Sequence, residues 1–220
     1  MSEREFIMQM QPWFGDEEKQ LLNEYMDSGG FITEFKQTQV FEQLICEYTG
    51  AQHCIVVNNG TISLSLAALA SGLVAGDEVI VPNYTMIATA NALKMFGIEP
   101  VFVDVEPETL CLDIDEVRQA ITPKTKAIML MSANGRYPAV GVEAFETLAM
   151  QRNLLLLEDA AQSLGSFYPD GRHIGLAGLA VSFSFSAPKI ISTGQGGCVV
   201  TNDATVADKV RKLKDFGRAS

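Results

Sequence analysis

The sequence predicts an α/β protein, a three-layer fold with a mainly parallel sheet and helices on both faces. Three observations carry that expectation. Short apolar runs alternate with helical stretches along most of the chain. The runs are apolar at successive positions, as over 127–131 and 154–157, so both faces of such strands need cover. Glycine or proline closes one unit after another, at Gly50, Pro82 and Gly97.

In chain order, a first helix is expected from Asp16, its cap, through Leu21, Leu22 and Tyr25 to the Gly29-Gly30 pair. A second covers 35–48, with Phe35, Val40, Phe41, Leu44, Ile45 and Tyr48 on its apolar side, and Gly50 stops it. The run 54–57 is a strand, Asn58-Asn59-Gly60-Thr61 a tight turn and 63–73 a helix. The unit repeats as strand 78–81, helix 86–96, strand 100–103 and helix 114–121, the last capped by Asp113. Strand 127–131, helix 142–152 and strand 154–157 follow. Beyond Asp159 the run 181–185 alternates with period two, 198–201 is a strand, and a last helix opens after Asn202 or Asp203. No linker interrupts the series, so 1–220 is expected to be one domain. Phe216-Gly217-Arg218-Ala219-Ser220 contains no closing element, and the chain is expected to stop ahead of a natural C-terminus.

With 47% apolar and 20% charged residues in a chain of 220, a core forms without disulfides or metal, and disorder is excluded. The 27 acidic and 16 basic residues leave a net charge of −11, without the basic footprint of a nucleic-acid binder. No apolar run approaches the roughly 18 residues that cross a bilayer. Met1-Ser2-Glu3-Arg4-Glu5 does not lead from basic residues into a long apolar stretch, so no export signal is read there. The expectation is a cytoplasmic protein with Cys46, Cys54, Cys111 and Cys198 reduced. No metal site is expected, since neither His53 nor His173 stands at ligand spacing from a cysteine.

In an open α/β sheet, ligands bind beyond the carboxyl ends of the strands. Gly60 and Thr61 follow the first strand and open a helix, a place where free amides can hold a phosphate or simply shape a turn. Tyr84 follows the second strand, as a ring to stack on a planar ligand or as a packed loop residue. Asp159 ends a wholly apolar run, where a carboxylate needs a positive partner unless it caps the next helix. Ser184 and Lys189 stand between the 181–185 run and the Gly194-Gln195-Gly196-Gly197 turn. A lysine without charged sequence neighbours can have a lowered pKa and act as a nucleophile, or be merely solvated. Taken jointly, a phosphate cradle, a stacking aromatic, a buried carboxylate and a desolvated lysine suit pyridoxal 5'-phosphate, whose ring nitrogen the aspartate keeps protonated.

The same residues resemble the nucleotide-sugar aminotransferases of the DegT/DnrJ/EryC1/StrS family, of fold type I. The likeness covers nearly the whole chain. Its blocks are Gly30-Phe31-Ile32-Thr33, Asn59-Gly60-Thr61-Ile62-Ser63-Leu64, the stretch from Gly76 to Pro82 with Tyr84-Thr85 and Ala88-Thr89-Ala90-Asn91-Ala92, Pro100-Val101-Phe102-Val103-Asp104-Val105, the stretch from Ile121 to Ile128, Glu158-Asp159-Ala160-Ala161-Gln162-Ser163-Leu164-Gly165, and Phe183 through Lys189 to Gly197.

The resemblance implies that 1–220 is the pyridoxal phosphate-binding large domain, with the small domain missing. It makes Lys189 the lysine that carries the cofactor and moves protons, and Asp159 the partner of the ring nitrogen. Gly60, Thr61 and Ser184 then hold the phosphate, Gln162 lies near the 3-hydroxyl, and Tyr84 takes the ring-stacking place. The implied reaction moves an amino group, from glutamate, to a keto-deoxy sugar of a nucleoside diphosphate sugar, in polysaccharide biosynthesis. The implied assembly is a homodimer with shared active sites, and Trp13, Phe14, Phe31 and Phe35 are candidates for its interface unless they cover the sheet. Three departures stand out: Gln195 where the family has glutamate, Asn134-Gly135-Arg136 where it has Leu-Tyr-Gly, and Asn59 where it has serine. Two other readings remain. A truncated, catalytically impaired cofactor-binding protein fits the early stop. A sugar dehydratase of the same family would have histidine at Lys189. A dinucleotide-binding domain lacks its glycine fingerprint after the first strand.

Overall fold

Among the described residues seven strands join one sheet: β1 (His53–Val57), β2 (Glu78–Pro82), β3 (Glu99–Val103), β4 (Thr125–Met131), β5 (Leu155–Asp159), β6 (Ala180–Ser184) and β7 (Gly197–Thr201). The computed structural model describes residues 8, 12–31 and 36–218. The strand order is β1-β7-β6-β5-β4-β2-β3. Pairing is parallel from β3 through β2, β4 and β5 to β6. β7 is antiparallel to both its neighbours, so it alone runs against the rest.

The helices are α1 (Asp16–Asp27), α2 (Lys36–Thr49), α3 (Gly60–Ala70), α4 (Ala88–Lys94), α5 (Ile114–Ala120), α6 (Val142–Arg152) and α7 (Ala204–Lys214). Alternate strand residues feed opposite cores. Ile55, Val79, Val81, Ala127, Met129, Leu157 and Val199 pack with α3, α4 and α7. Ile80, Ile128, Leu130 and Leu156 pack with α5 and α6, while Cys54, Val181, Phe183 and Val200 pack under α2. The predicted three layers are therefore present, with helices on both faces.

Where boundaries differ from expectation, side-chain caps and strand pairing explain the shift. Helix α3 opens at Gly60 rather than residue 63, because the Asn59 side chain accepts the Ile62 N–H at 2.9 Å and caps it there. Gly15, not Asp16, holds the cap position of α1; its N–H donates to Glu18 at 2.6 Å, and Asp16 pairs with Lys19 instead. Helix α4 is shorter than the expected 86–96. Strand β5 runs past Leu157 to Asp159, since Glu158 and Asp159 still pair with Leu130 and Met131 of β4. Asp113 and Asp203 cap α5 and α7 as expected. Phe35, Ile32, Thr33, Ala219 and Ser220 lie outside the described residues. All four cysteines are free. Among the described residues no helix is long and apolar enough to cross a membrane.

Candidate active site

The carboxyl ends of β1, β2, β4, β5 and β6 all open on one side of the sheet, where ligands of such folds bind. A cavity of about 480 Å³ lies there, within the size range of small-molecule sites. Gly60, Thr61, Asp159, Ser184 and Lys189 line it, with Met86, Met95 and Gln195. A small pocket of about 20 Å³ shares Met86, Asp159, Ala161 and Lys189 with it and adds Gln162 and Ser132.

Backbone contact builds one wall. A Cβ at Gly60 would stand 2.8 Å from the Ser184 Cβ, and one at Gly197 would stand 2.6 Å from the Asn59 carbonyl carbon. The start of α3, the end of β6 and the start of β7 thus touch in a way only glycine permits. The first amides of α3 have no intrahelical acceptor, and they meet the cavity beside the Ser184 side chain. Behind them the buried Ser63 hydroxyl donates to the Gly60 carbonyl at 2.7 Å and accepts from the buried Ser182 hydroxyl. These bonds fix the helix start against β6.

Asp159 is the buried carboxylate of the site. It accepts from the Thr89 hydroxyl at 2.6 Å and from the Ala161 N–H at 3.2 Å. No helix follows it, so it is not a helix cap; the Ala161 bond closes a turn. Burial pushes its carboxyl above the usual carboxylate range, and Thr89, Ala161 and the charge of Lys189 pull it back. Lys189 is half-buried in a turn where its own N–H donates to the Ser186 carbonyl at 3.0 Å. Burial lowers its ammonium below the ordinary lysine value, against the opposing pull of Asp159.

Gln162 is oriented by the turn over Ala133–Gly135. The Asn134 N–H donates to Gln162 Oε1 at 2.8 Å, which leaves the Nε2 donors for other partners. The Asn134-Gly135-Arg136 departure lines neither cavity and touches the site through this bond. Gln195 lines the larger cavity itself.

One expected placement does not hold. Tyr84 lines neither cavity and is 49% exposed, whereas Met86, two residues on, lines both. The chain bends over residues 83–85 after β2, and the bend turns Met86 rather than Tyr84 toward the site. Residue types alone do not encode that bend. Met95, Thr89 and Ala161 were also missed. Thr89 is tied to the bend ahead of α4, where the Thr85 and Thr89 hydroxyls bond at 2.7 Å.

The DegT/DnrJ/EryC1/StrS aminotransferase family model matches residues 12–220. The chain belongs to this family. A GDP-perosamine synthase of Escherichia coli O157:H7 is 42% identical over 97% of this chain and 58% of its own length. The chain thus spans about 58% of the length of that curated relative. The crystal structure of DesI in the presence of its TDP-sugar product matches with a TM-score of 0.87 and 35% identity, over 94% of this chain and 52% of that one. NtdA from Bacillus subtilis, with bound cofactor PMP, matches with a TM-score of 0.82 and 30% identity, over 90% of this chain and 45% of that one.

Proposed function

We propose that this chain carries the cofactor site of a pyridoxal phosphate-dependent aminotransferase. It passes an amino group from glutamate to a keto-deoxy sugar of a nucleoside diphosphate sugar. The observation that carries this reading is Asp159. Its buried carboxylate has two donors, Thr89 and Ala161, and borders the cavity that Lys189 also lines. An ionised carboxylate so placed needs a cation, and a protonated pyridine nitrogen is one that the cavity has room for. The glycine-tight start of α3 beside Ser184 suits a phosphate. The residues therefore fit pyridoxal 5'-phosphate. The names of the relatives support a nucleotide sugar as substrate.

In this mechanism Gly60, Thr61 and Ser184 would hold the phosphate, and Gln162 would serve the ring 3-hydroxyl. Asp159 would keep the ring nitrogen protonated. When bound, the cofactor supplies the sink for electrons released at the amino-bearing carbon. Burial lowers the Lys189 ammonium, which favours the free amine, and its Nζ takes up and returns the proton that amino transfer moves.

A homodimer with shared sites is part of the same reading. Trp13 is 85% exposed and Phe31 73%, Phe14 is exposed too, and α1 has no buried residue, so these side chains do not cover the sheet. Exposed aromatics in that number suit a partner surface of more than about 2,000 Å². A cytoplasmic place is part of the same reading, with all four cysteines free. The substrate half is tested with a panel of keto-sugar nucleotides and glutamate, following 2-oxoglutarate release. Release with at least one member is expected. Release with none, from protein that holds the cofactor, would refute the sugar substrate.

A further inference from the structure

His173 is a buried titratable group that the mechanism above leaves unused. It stands in the loop between β5 and β6. Its Nδ1 lies 2.6 Å from the Ile174 carbonyl, which only accepts, so Nδ1 carries the ring proton. Nε2 is then the acceptor, and it takes the Gly165 N–H at 2.8 Å. Both nitrogens are used, and the imidazole is neutral in one tautomer. Phe167, Phe183 of β6 and Tyr48 of α2 surround the ring in edge-to-face contact, with centroids at 5.2, 5.7 and 5.9 Å.

Gly165 closes the turn that carries Ala161 and Gln162 past the small pocket. The turn opens where the Ala160 N–H donates to the Ser182 carbonyl of β6 at 2.9 Å, and the Ser163 N–H folds back on the Ala160 carbonyl at 2.9 Å. At the far end Gly165 has φ +86°, and a Cβ there would stand 3.1 Å from Tyr48 Oη, so the backbone presses close to α2. Thus β6 holds one end of the turn and His173 the other. Gln162 lies between them, with its Oε1 taken by the Asn134 N–H. Of these ties only the one to His173 titrates near neutral pH.

Protonated, Nε2 becomes a donor that faces the donor of Gly165. A buried N–H without an acceptor and a buried charge both cost free energy, and movement of the turn relieves them. The groups around the ring do not offset that charge. From α2 comes the Tyr48 phenol, from β6 only Phe183, and from the turn only backbone. In the loop Arg172 pairs with Glu146 and Asp170, and Glu158 of β5 is taken up by Tyr168, Gly175, Ala177 and Gly178. Burial lowers the His173 imidazolium below the ordinary histidine value, against the pull of the Ile174 carbonyl.

We propose that His173 is a positioning residue of the cofactor site: through Gly165 the neutral imidazole holds the turn that carries Ala161 and Gln162, and protonation releases that turn and loosens the cofactor. This rests on the pyridoxal phosphate reading above. Cofactor affinity is fully present above the folded-state value of the imidazole and is lost as pH falls through it.

The test compares the unsubstituted full chain with His173→Gln and His173→Phe. Glutamine can set an amide oxygen at the place of Nε2, an acceptor that does not titrate, whereas phenylalanine keeps a ring and removes the acceptor. Hydrogen exchange of the cofactor-free proteins, read on the peptide spanning 160–166, is expected to quicken about tenfold in His173→Phe and to stay near the unsubstituted rate in His173→Gln. Titration with pyridoxal 5'-phosphate at about pH 7.5, followed by visible absorbance, is expected to give similar Kd values for the unsubstituted chain and His173→Gln, and a Kd raised about fivefold in His173→Phe. At about pH 5 the unsubstituted chain is expected to bind about fivefold more weakly than His173→Gln at the same pH. A visible band with one Kd for all three proteins at both pH values would overturn this proposal alone. Equal weakening in His173→Gln and His173→Phe would overturn it too, since the lost acceptor would not be the cause. If the unsubstituted chain shows no visible band at all, the cofactor reading itself fails and this proposal falls with it.

Discussion

Glu158 and Asp159 are neighbours at the end of β5, yet the two sides of the sheet treat them differently. Successive strand residues face opposite sides. Glu158 accepts from the Tyr168 hydroxyl at 2.6 Å and from the N–H groups of Gly175, Ala177 and Gly178 at 3.0, 2.7 and 2.5 Å. All of these donors come from one loop, and neither cavity is lined by Glu158. Asp159 has two donors and borders both cavities. Burial pushes both carboxyls above their usual range. A buried carboxylate saturated by its own loop is a clasp for that loop. One left short of donors beside a cavity is a place for a ligand. Sequence neighbours of the same chemistry therefore differ in role through the count of donors around them.

The comparison can be broken from either side. The largest expected effect lies with the lysine that faces Asp159. Lys189→Ala should lower turnover by about 10³-fold or more, because both nucleophile and proton carrier are lost. Thermal melting should barely move, since the side chain is only half-buried. Equal losses of turnover and melting temperature would make Lys189 structural.

Glu158→Gln comes next. The amide turns an N–H group toward donors that need an acceptor, leaving at least one buried N–H or hydroxyl unmet. Urea unfolding should show a loss of about 3 kcal/mol. Cofactor affinity in the protein that remains folded should change little. A stable protein with weak cofactor binding would put Glu158 in the site and remove the contrast.

Asp159→Asn should do the opposite. Turnover should fall about 10²-fold, because an amide does not keep a ring nitrogen protonated. The cofactor-free fold should hold or gain on the order of 1 kcal/mol, as sites built for function often cost stability. Near-normal turnover would reduce Asp159 to a turn residue.

The smallest effect is in pH dependence. Asp159 has a folded-state pKa above its unfolded value, so the folded state holds the extra proton between the two. Its contribution is fully present below the ordinary carboxylate value and is lost as pH rises through the raised one. The stability of cofactor-free Asp159→Asn, measured against the unsubstituted chain, should therefore improve as pH increases across that window. Urea midpoints taken from about pH 4 to pH 8 would read it. A constant difference would mean that burial does not perturb Asp159.

Much of this was legible in the chain, and the reason is period. Strand ends can be placed from apolar runs, and strand ends are where Asp159, Ser184 and the Gly60 turn stand. Lys189 followed from its place between a strand and a glycine turn. The illegible parts depend on contacts between distant residues or on backbone direction. Thr89 reaches Asp159 across 70 positions. The bend over 83–85 decides whether Tyr84 or Met86 meets the cavity, and no residue there forces it. The start of α3 lies three residues ahead of the expected one because Asn59, a turn residue by type, caps the helix with its side chain. The division of labour between Glu158 and Asp159 was invisible, since it depends on where the loop carrying Gly175, Ala177 and Gly178 folds back.

The central claim is that Asp159 and Lys189 bracket one cofactor. Borohydride reduction of the protein after incubation with pyridoxal 5'-phosphate, followed by peptide mapping by mass spectrometry, tests it most directly. The account predicts one reduced pyridoxyl group per chain, on the peptide containing Lys189, and its loss in Lys189→Ala. A label on any other lysine, or spread over several surface lysines with Lys189 unmodified, would contradict it.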